Sequence, residues 1–290
     1  MEIDLILNRY SSGKRNFSNL DLHGSDLSNL ELCDINLNKA NLQDSNLSNT
    51  NLEFASIIQA NLYKANLSKT NLYNANLSQT NLQKVNLSGA NLEWACLDEV
   101  SLKDTNLLEV EGLYGISLSK VNLRKVDLRG IDLECATLNK TCLAETNLRR
   151  AALGGIKSFQ VNLCNADLTE ARLSDANLSE ALLKEANLSK TLFLGAYLVE
   201  ADLEKANLDQ SDLRKSNLKQ ANLSKANINQ TYFGGANLFG ANFTEAILSR
   251  VHLQNVDLRQ ANFKNAIFRE VSFSNVNFGN TIMPDGTIKS

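Results

Sequence analysis

Proline is almost missing from this chain: Pro284 is the only one in 290 residues. A chain without proline keeps its backbone N–H groups for strand stacking and excludes proline-rich linkers. Histidine is nearly as scarce, and His23 and His252 stand at opposite ends of the sequence. They cannot share a catalytic or metal site. The five cysteines, Cys33, Cys96, Cys135, Cys142 and Cys164, are odd in number and lack close metal-type spacing. They read as reduced surface thiols in a reducing compartment. No apolar run is long enough to span a bilayer. The opening Met1–Tyr10 carries acids where a secretory signal has a basic start, so a soluble, cytoplasmic protein with no membrane partner is expected. Neither sign of charge dominates: 29 basic and 32 acidic residues leave a net charge of -3. That excludes a polybasic nucleic-acid binder, so no direct nucleic-acid binding is expected. No G-x-S-x-G, Walker-type glycine loop, H-E-x-x-H or Cys/His metal spacing occurs. No catalytic, cofactor-binding or metal-ligating residues are assigned, and the chain is not expected to be an enzyme.

What is present is a beat of five. A bulky apolar residue, almost always Leu, stands at 17, 22, 27 and onward to 107, then at 113, 118 and onward to 278. Nineteen units precede a one-residue slip and thirty-four follow it. A period of five fits neither the helix nor the simple strand and demands a repeat architecture. The residue two before each centre is small or β-branched, Ala in 24 of 53 units. The residue just before the centre is usually Asn or Asp, and the two after it are polar and variable. Each unit therefore offers one large and one small inward side chain and three outward positions. The Asn and Asp side chains suit the tight turns that so short a repeat needs.

Units such as Ala40-Asn41-Leu42-Gln43-Asp44, Ala60-Asn61-Leu62-Tyr63-Lys64 and Ala221-Asn222-Leu223-Ser224-Lys225 resemble the pentapeptide-repeat family, whose consensus is A-(D/N)-L-x-x. The resemblance implies an all-β fold, a right-handed quadrilateral β-helix with four units and twenty residues per coil. It implies about 13 coils and a solenoid about 60 Å long at strand spacing. The segments Ile6–Tyr10, Gly13–Phe17 and Ile282–Gly286 are similar to cyanobacterial members of the family, in particular those that regulate heterocyst differentiation.

The expected organisation is an N-terminal cap over 1–16, the β-helix over 17–280 and a capping tail over 281–290. Ile3, Ile6, Leu7 and Tyr10 recur at helical spacing and predict a short amphipathic helix over the first coil. The last four centres, Phe263, Phe268, Phe273 and Phe278, predict a coil of aromatic fill with the tail folded back over it. Plugged ends point to a monomer, although an aromatic wall could also pair with itself. The slip at 108–112 predicts a bulge at Glu111–Gly112 that turns Glu111 outward, Gly112 supplying unusual backbone angles; a tolerated insertion is the plain alternative. Ser158, the only polar centre, predicts a void partly filled by Ile156 and a local distortion of the wall.

Four units per coil sort the outward residues onto four faces, whose charges sum to +1, +1, 0 and -5. The negative face collects Cys33, Glu53, Phe54, Tyr73, Glu93, Trp94, Tyr114 and Glu134, with Glu111 added by the bulge. Farther along it carries Gly154-Gly155, Gly195, Gly234-Gly235, Leu192, Leu194 and Tyr232. Exposed aromatics on a rigid wall are the residue types that dominate interfaces; the plain alternative is that they only pack on one another along the ladder. The expectation is a non-enzymatic protein–protein scaffold, regulatory in a cyanobacterium, that docks an unidentified protein on Glu53, Phe54, Tyr73, Glu93, Trp94, Glu111, Tyr114 and Glu134. Two alternatives remain. One is a DNA mimic acting on DNA gyrase, as quinolone-protecting family members do, which needs acidity along the whole solenoid. The other is a passive spacer.

Overall fold

The computed structural model describes residues 2–290, with side chains from residue 4 onward. The chain divides into two compact units, Met1–Asn122 and Leu123–Ser290. Within each, parallel bridges join residues twenty apart, as in Asn41↔Asn61↔Asn81 of the first unit and Asp167↔Asn187↔Asn207 of the second. Twenty residues make one coil, so four five-residue units close each turn of a β-helix.

The same backbone logic recurs along each unit. The Leu42 N–H donates to the Asn61 carbonyl of the next coil at 2.8 Å, and the Asn41 N–H donates to Leu20 of the previous coil at 2.9 Å. The chain then turns sharply: Ala40 N–H closes on the Leu37 carbonyl at 3.0 Å. The third residue of that turn, Lys39, has φ of 59°. The same left-handed slot recurs in successive units with Asp44, Asn49, Phe54 and Gln59. An L-residue there costs on the order of 1–2 kcal/mol. Burying the centre leucine offsets it with roughly 1.5–3 kcal/mol per side chain. Leu42, Leu62, Leu168 and Leu188 are fully buried with the small residues between them.

Asparagine before the centre has two tasks. Its Oδ1 accepts the N–H two residues on, as Asn71 does from Tyr73 at 3.2 Å, which shapes the turn. Its Nδ2 reaches back one coil, so Asn61 donates to Asn41 and Asn81 donates to Asn61. These amide ladders begin on a carboxylate: Asp21, Asp26 and Glu31 in the first unit, Asp167 and Asp202 in the second. In these ladders each asparagine amide donates toward the N-terminal end, so a negative charge is well placed to receive the first donor.

The slip is a bulge at Glu111–Gly112. In a regular unit one residue serves both neighbours: the Asn91 N–H donates to Thr70 and its carbonyl accepts from Leu72. Here the work is split, since Glu111 N–H donates to Ala90 at 3.0 Å while the Gly112 carbonyl accepts from Leu92 at 2.8 Å. Glu111 faces solvent and Val110 is half-buried. The expected reason for the glycine needs correction. Gly112 does not adopt a left-handed φ; a Cβ on it would stand 2.4 Å from Asn91 Oδ1 and 2.8 Å from Glu93 Cγ. Close approach, not backbone angle, selects glycine.

Ser158 also departs from expectation. It is fully buried beside Ile156, and its N–H and hydroxyl both donate to the Asn177 carbonyl, at 2.9 and 2.6 Å. The ladder Thr137↔Lys157↔Asn177 passes through in register. The wall does not distort, because the hydroxyl finds its partner in the coil itself.

Regular elements occur at the ends. Helix α1, Glu2–Ser11, buries Ile6 and half-buries Leu7 and Tyr10; Ile3 lies outside the described side chains. The Tyr10 hydroxyl donates to the Cys33 carbonyl at 2.9 Å. In the last coils β1 (Asn227–Asn229), β2 (Ile247–Ser249) and β4 (Ile267–Arg269) form one parallel sheet. β3 (His252–Gln254) and β5 (Ser272–Ser274) form another, and β6 (Thr281–Ile282) pairs antiparallel with β7 (Ile288–Lys289). The tail does fold back, setting the Lys289 ammonium 3.8 Å from the Phe278 ring centre. It does not complete the seal: Phe263 is buried, whereas Phe268, Phe273 and Phe278 are only half-buried. The five cysteines are all free, each partly exposed.

Candidate protein interface

In the first unit the bridges Asn51↔Asn71↔Asn91↔Gly112 align four consecutive coils on one face. Each coil presents two turn residues there: Glu53-Phe54, Tyr73-Asn74, Glu93-Trp94 and Tyr114-Gly115. The turns stack through their backbone. Phe54 N–H donates to Tyr73, Asn74 N–H to Glu93 and Trp94 N–H to Tyr114, each at 3.0 Å. Phe54 and Trp94 sit in the left-handed slot, at φ of 57° and 59°. Bulky aromatics are unusual there, and both rings remain about half in solvent, 49% and 47%.

The rings meet in two edge-on pairs. Phe54 and Tyr73 are 5.9 Å apart at 84°, and Trp94 and Tyr114 are 5.4 Å apart at 78°. Such T-shaped contacts add about 0.5–1.5 kcal/mol each. Packing along the ladder is therefore real, yet Phe54, Trp94 and Tyr114 keep large exposed surfaces. Gly115 makes the second pair possible: a Cβ there would stand 2.5 Å from Trp94 Cε3, so the indole lies across the glycine.

The two pairs are one module written twice. Asn51-Leu52-Glu53-Phe54-Ala55 is matched by Asn91-Leu92-Glu93-Trp94-Ala95, and Asn71-Leu72-Tyr73-Asn74-Ala75 by Gly112-Leu113-Tyr114-Gly115-Ile116. In the first module Asn71 Nδ2 donates to the Glu53 carboxylate at 2.8 Å. In the second, Gly112 occupies the place of Asn71, so that amide has no counterpart beside Glu93. The bulge also brings Glu111 to the corner by Gly89, where the Lys69 side chain lies as well.

Among the described residues no ion pair involves Glu53, Glu93 or Glu111. The field of this wall shows in Cys33. Burial first, then the carboxylates of Glu53, Glu31 and Asp34, push its thiol above the ordinary value. Glu134 belongs to the second unit, where its carboxylate lies over Gly154 and 3.7 Å from Arg172. Leu192, Leu194 and Tyr232 of the second unit are exposed as expected, and Gly155, Gly195 and Gly235 fill left-handed turn slots.

Asn71 and Gly115 shape the candidate site and were not singled out from sequence, and Gly112 was singled out for the bulge but not for the close approach of Asn91 and Glu93. The doubled pentamers were the signal available for them. Among the described residues no group of three or more His, Cys, Asp or Glu could hold a metal, and no helix is long and apolar enough to cross a membrane. His252 Nδ1 lies 2.6 Å from Ser272 Oγ in the second unit. It borders an open depression shared with Tyr232, Arg250 and Glu270, where nothing excludes water.

Comparison with known proteins agrees with the five-residue register. A model described as pentapeptide repeats matches residues 16–53, 65–104, 86–110, 113–152 and 246–283. A second, for a pentapeptide repeat region, matches 166–243. The matches stop at 110 and resume at 113, either side of the bulge. No curated protein matches the sequence. Among solved structures, the chain is similar to HetL, a pentapeptide repeat protein involved in heterocyst differentiation regulation in the cyanobacterium Nostoc sp. strain PCC 7120. The identity is 28% over 98% of both chains, with a TM-score of 0.29. The Nostoc pentapeptide repeat protein alr5209 is 31% identical over 38% of this chain and 95% of its own, with a TM-score of 0.21. Full-length QnrB1, a plasmid-mediated fluoroquinolone resistance protein, is 15% identical over 90% of this chain and 94% of its own, with a TM-score of 0.28. With family models matching well over half of its length, the chain belongs to the pentapeptide-repeat family.

Proposed function

We propose that this protein is a non-enzymatic docking scaffold whose acidic, aromatic wall in the first unit receives a protein partner. The observation that carries the reading is the doubled module. Two T-shaped aromatic pairs, each beside a glutamate, stand half-exposed on a backbone that stacking holds rigid. Exposed Trp and Tyr on a preorganised surface bind with little loss of conformational entropy. The role is regulatory, in a cyanobacterium, the class of role named for HetL. The working form is a monomer closed at its N-terminal end by α1. Catalysis has no part in it, because the carboxylates stand on an open wall that excludes no water.

The test is replacement of Trp94 and Tyr114 by Ala, followed by affinity capture with cross-linking from the wall. Partners that cross-link to residues 53–115 of the intact protein should be lost from the variant. An unchanged set of cross-linked partners removes this wall from consideration.

A further inference from the structure

The doubled module fixes more than the place of docking. Each copy sets ring faces and ring edges beside a carboxylate, the pair of features that attracts an organic cation. Elsewhere in the chain rings already hold its own cations: Lys64 over Tyr63, and Lys219 and Arg259 over Phe239. On the wall the neighbouring charges are Glu31, Asp34, Glu53, Glu93 and Glu111, with Lys69 as the one basic side chain at its corner. A cationic partner complements this surface and an anionic one is repelled.

Spacing narrows the partner further. The modules repeat every second coil, which at strand spacing is about 9.6 Å. Side chains of a polyproline II segment return to the same side every third residue, after about 9.3 Å. Alternate residues of a β-strand return after only about 6.8 Å. On the docking reading above, we propose that the partner presents an extended segment with two basic side chains three residues apart, Arg/Lys-x-x-Arg/Lys. The segment runs along the direction of coil stacking and places one cation at each module. The second module is the stronger anchor. The bulge removes the amide that would stand beside Glu93 and adds Glu111, and Trp is the best ring for a cation.

Trp94 is the only tryptophan, so the protein carries its own reporter. Its emission is titrated with the capped peptide Arg-Pro-Pro-Arg and with controls of altered spacing, Arg-Pro-Arg and Arg-Pro-Pro-Pro-Pro-Arg. The expected result is a saturable change for the first peptide, at least about tenfold tighter than for either control. It should weaken about tenfold in the Glu53→Gln, Glu93→Gln double variant and weaken again at 0.5 M salt. Both glutamines keep an acceptor oxygen, and circular dichroism checks that the coils persist. Equal binding of the three spacings, absence of saturation at millimolar peptide, or tighter binding of a helical peptide with its cations seven residues apart would overturn the proposal. If cross-linked partners are lost from the Trp94, Tyr114 variant while no dibasic peptide binds, the wall docks proteins by another chemistry. If the partners are unchanged, the docking reading itself falls.

Discussion

The two units satisfy one backbone register with different outward chemistry. Both carry amide ladders, headed by Asp21, Asp26 and Glu31 in the first and by Asp167 and Asp202 in the second. Charged pairs concentrate in the second. Arg150 reaches Glu170, Lys184 reaches Glu204 and Lys205 reaches Glu185 across one coil; Arg214 and Arg259 fold back onto Asp212 and Asp257. There charges cancel within a few ångströms and leave little outward field. On the wall of the first unit the Glu53 carboxylate meets an amide instead, and its negative charge stays available to a partner. A repeat fixes where side chains stand; local pairing decides whether their charge is felt beyond the surface.

The contrast can be broken in order of size. Leu92 in the first unit and Leu173 in the second are both fully buried leucine centres, so replacing either by Ala should cost about 2–5 kcal/mol. Clearly unequal losses in denaturant unfolding would place the difference inside the coils instead of outside. Asn71→Ala should cost about 1–3 kcal/mol, since it strands the Tyr73 N–H and the Asn91 amide at half-buried positions. The matched change in the second unit, Arg150→Gln, should barely move the unfolding midpoint, because that pair is exposed. Gly115→Ala combines a left-handed φ of 68° with a clash on the Trp94 indole. It should cost about 1–2 kcal/mol and shift the emission of Trp94.

Acid should separate the units more gently. In the first, hydrogen bonds from Ser28 hold Asp26 below the ordinary carboxylate value, and Lys120 does so for Glu99. In the second, Arg124, Arg150, Lys184, Arg214 and Arg259 do the same for Glu145, Glu170, Glu204, Asp212 and Asp257. A depressed folded pKa stabilises fully above the unfolded values, near 4, and its contribution is lost as pH falls through the folded value. The second unit should loosen first below about pH 4, read by amide exchange corrected for intrinsic rate. The smallest expected effect is on DNA gyrase. Supercoiling with and without micromolar protein should be the same, because the acid-lined wall spans only a few coils of the first unit; protection from a quinolone would revive DNA mimicry.

Much of this was legible in the sequence. Leu at every fifth position placed each centre inside, the count of four put Glu53, Tyr73, Glu93 and Tyr114 on one face, and the miscount at 107–113 located the bulge. Other features were hidden because they depend on atoms one coil away. The pentamer shows a tight turn but not that Phe54 and Trp94 occupy its left-handed slot. Gly112 looked like a residue needed for its backbone angle, and Asn91 and Glu93 proved to be the reason. The pentamer does not show that Arg172 stands beside Glu134, two coils farther on. Ser158 looked like a flaw, and one carbonyl of the next coil satisfies it.

By itself the sequence determined the coil, its period, its faces and its single bulge, because a five-residue pattern with one large apolar side chain per unit buries that side chain in only one way. Tertiary stacking decided which outward residues act together. Ring pairing at 5.4 and 5.9 Å, the amide that holds Glu53 and the glycine that admits Trp94 all join residues about twenty apart. Contacts at that range exist only once the coils lie on one another.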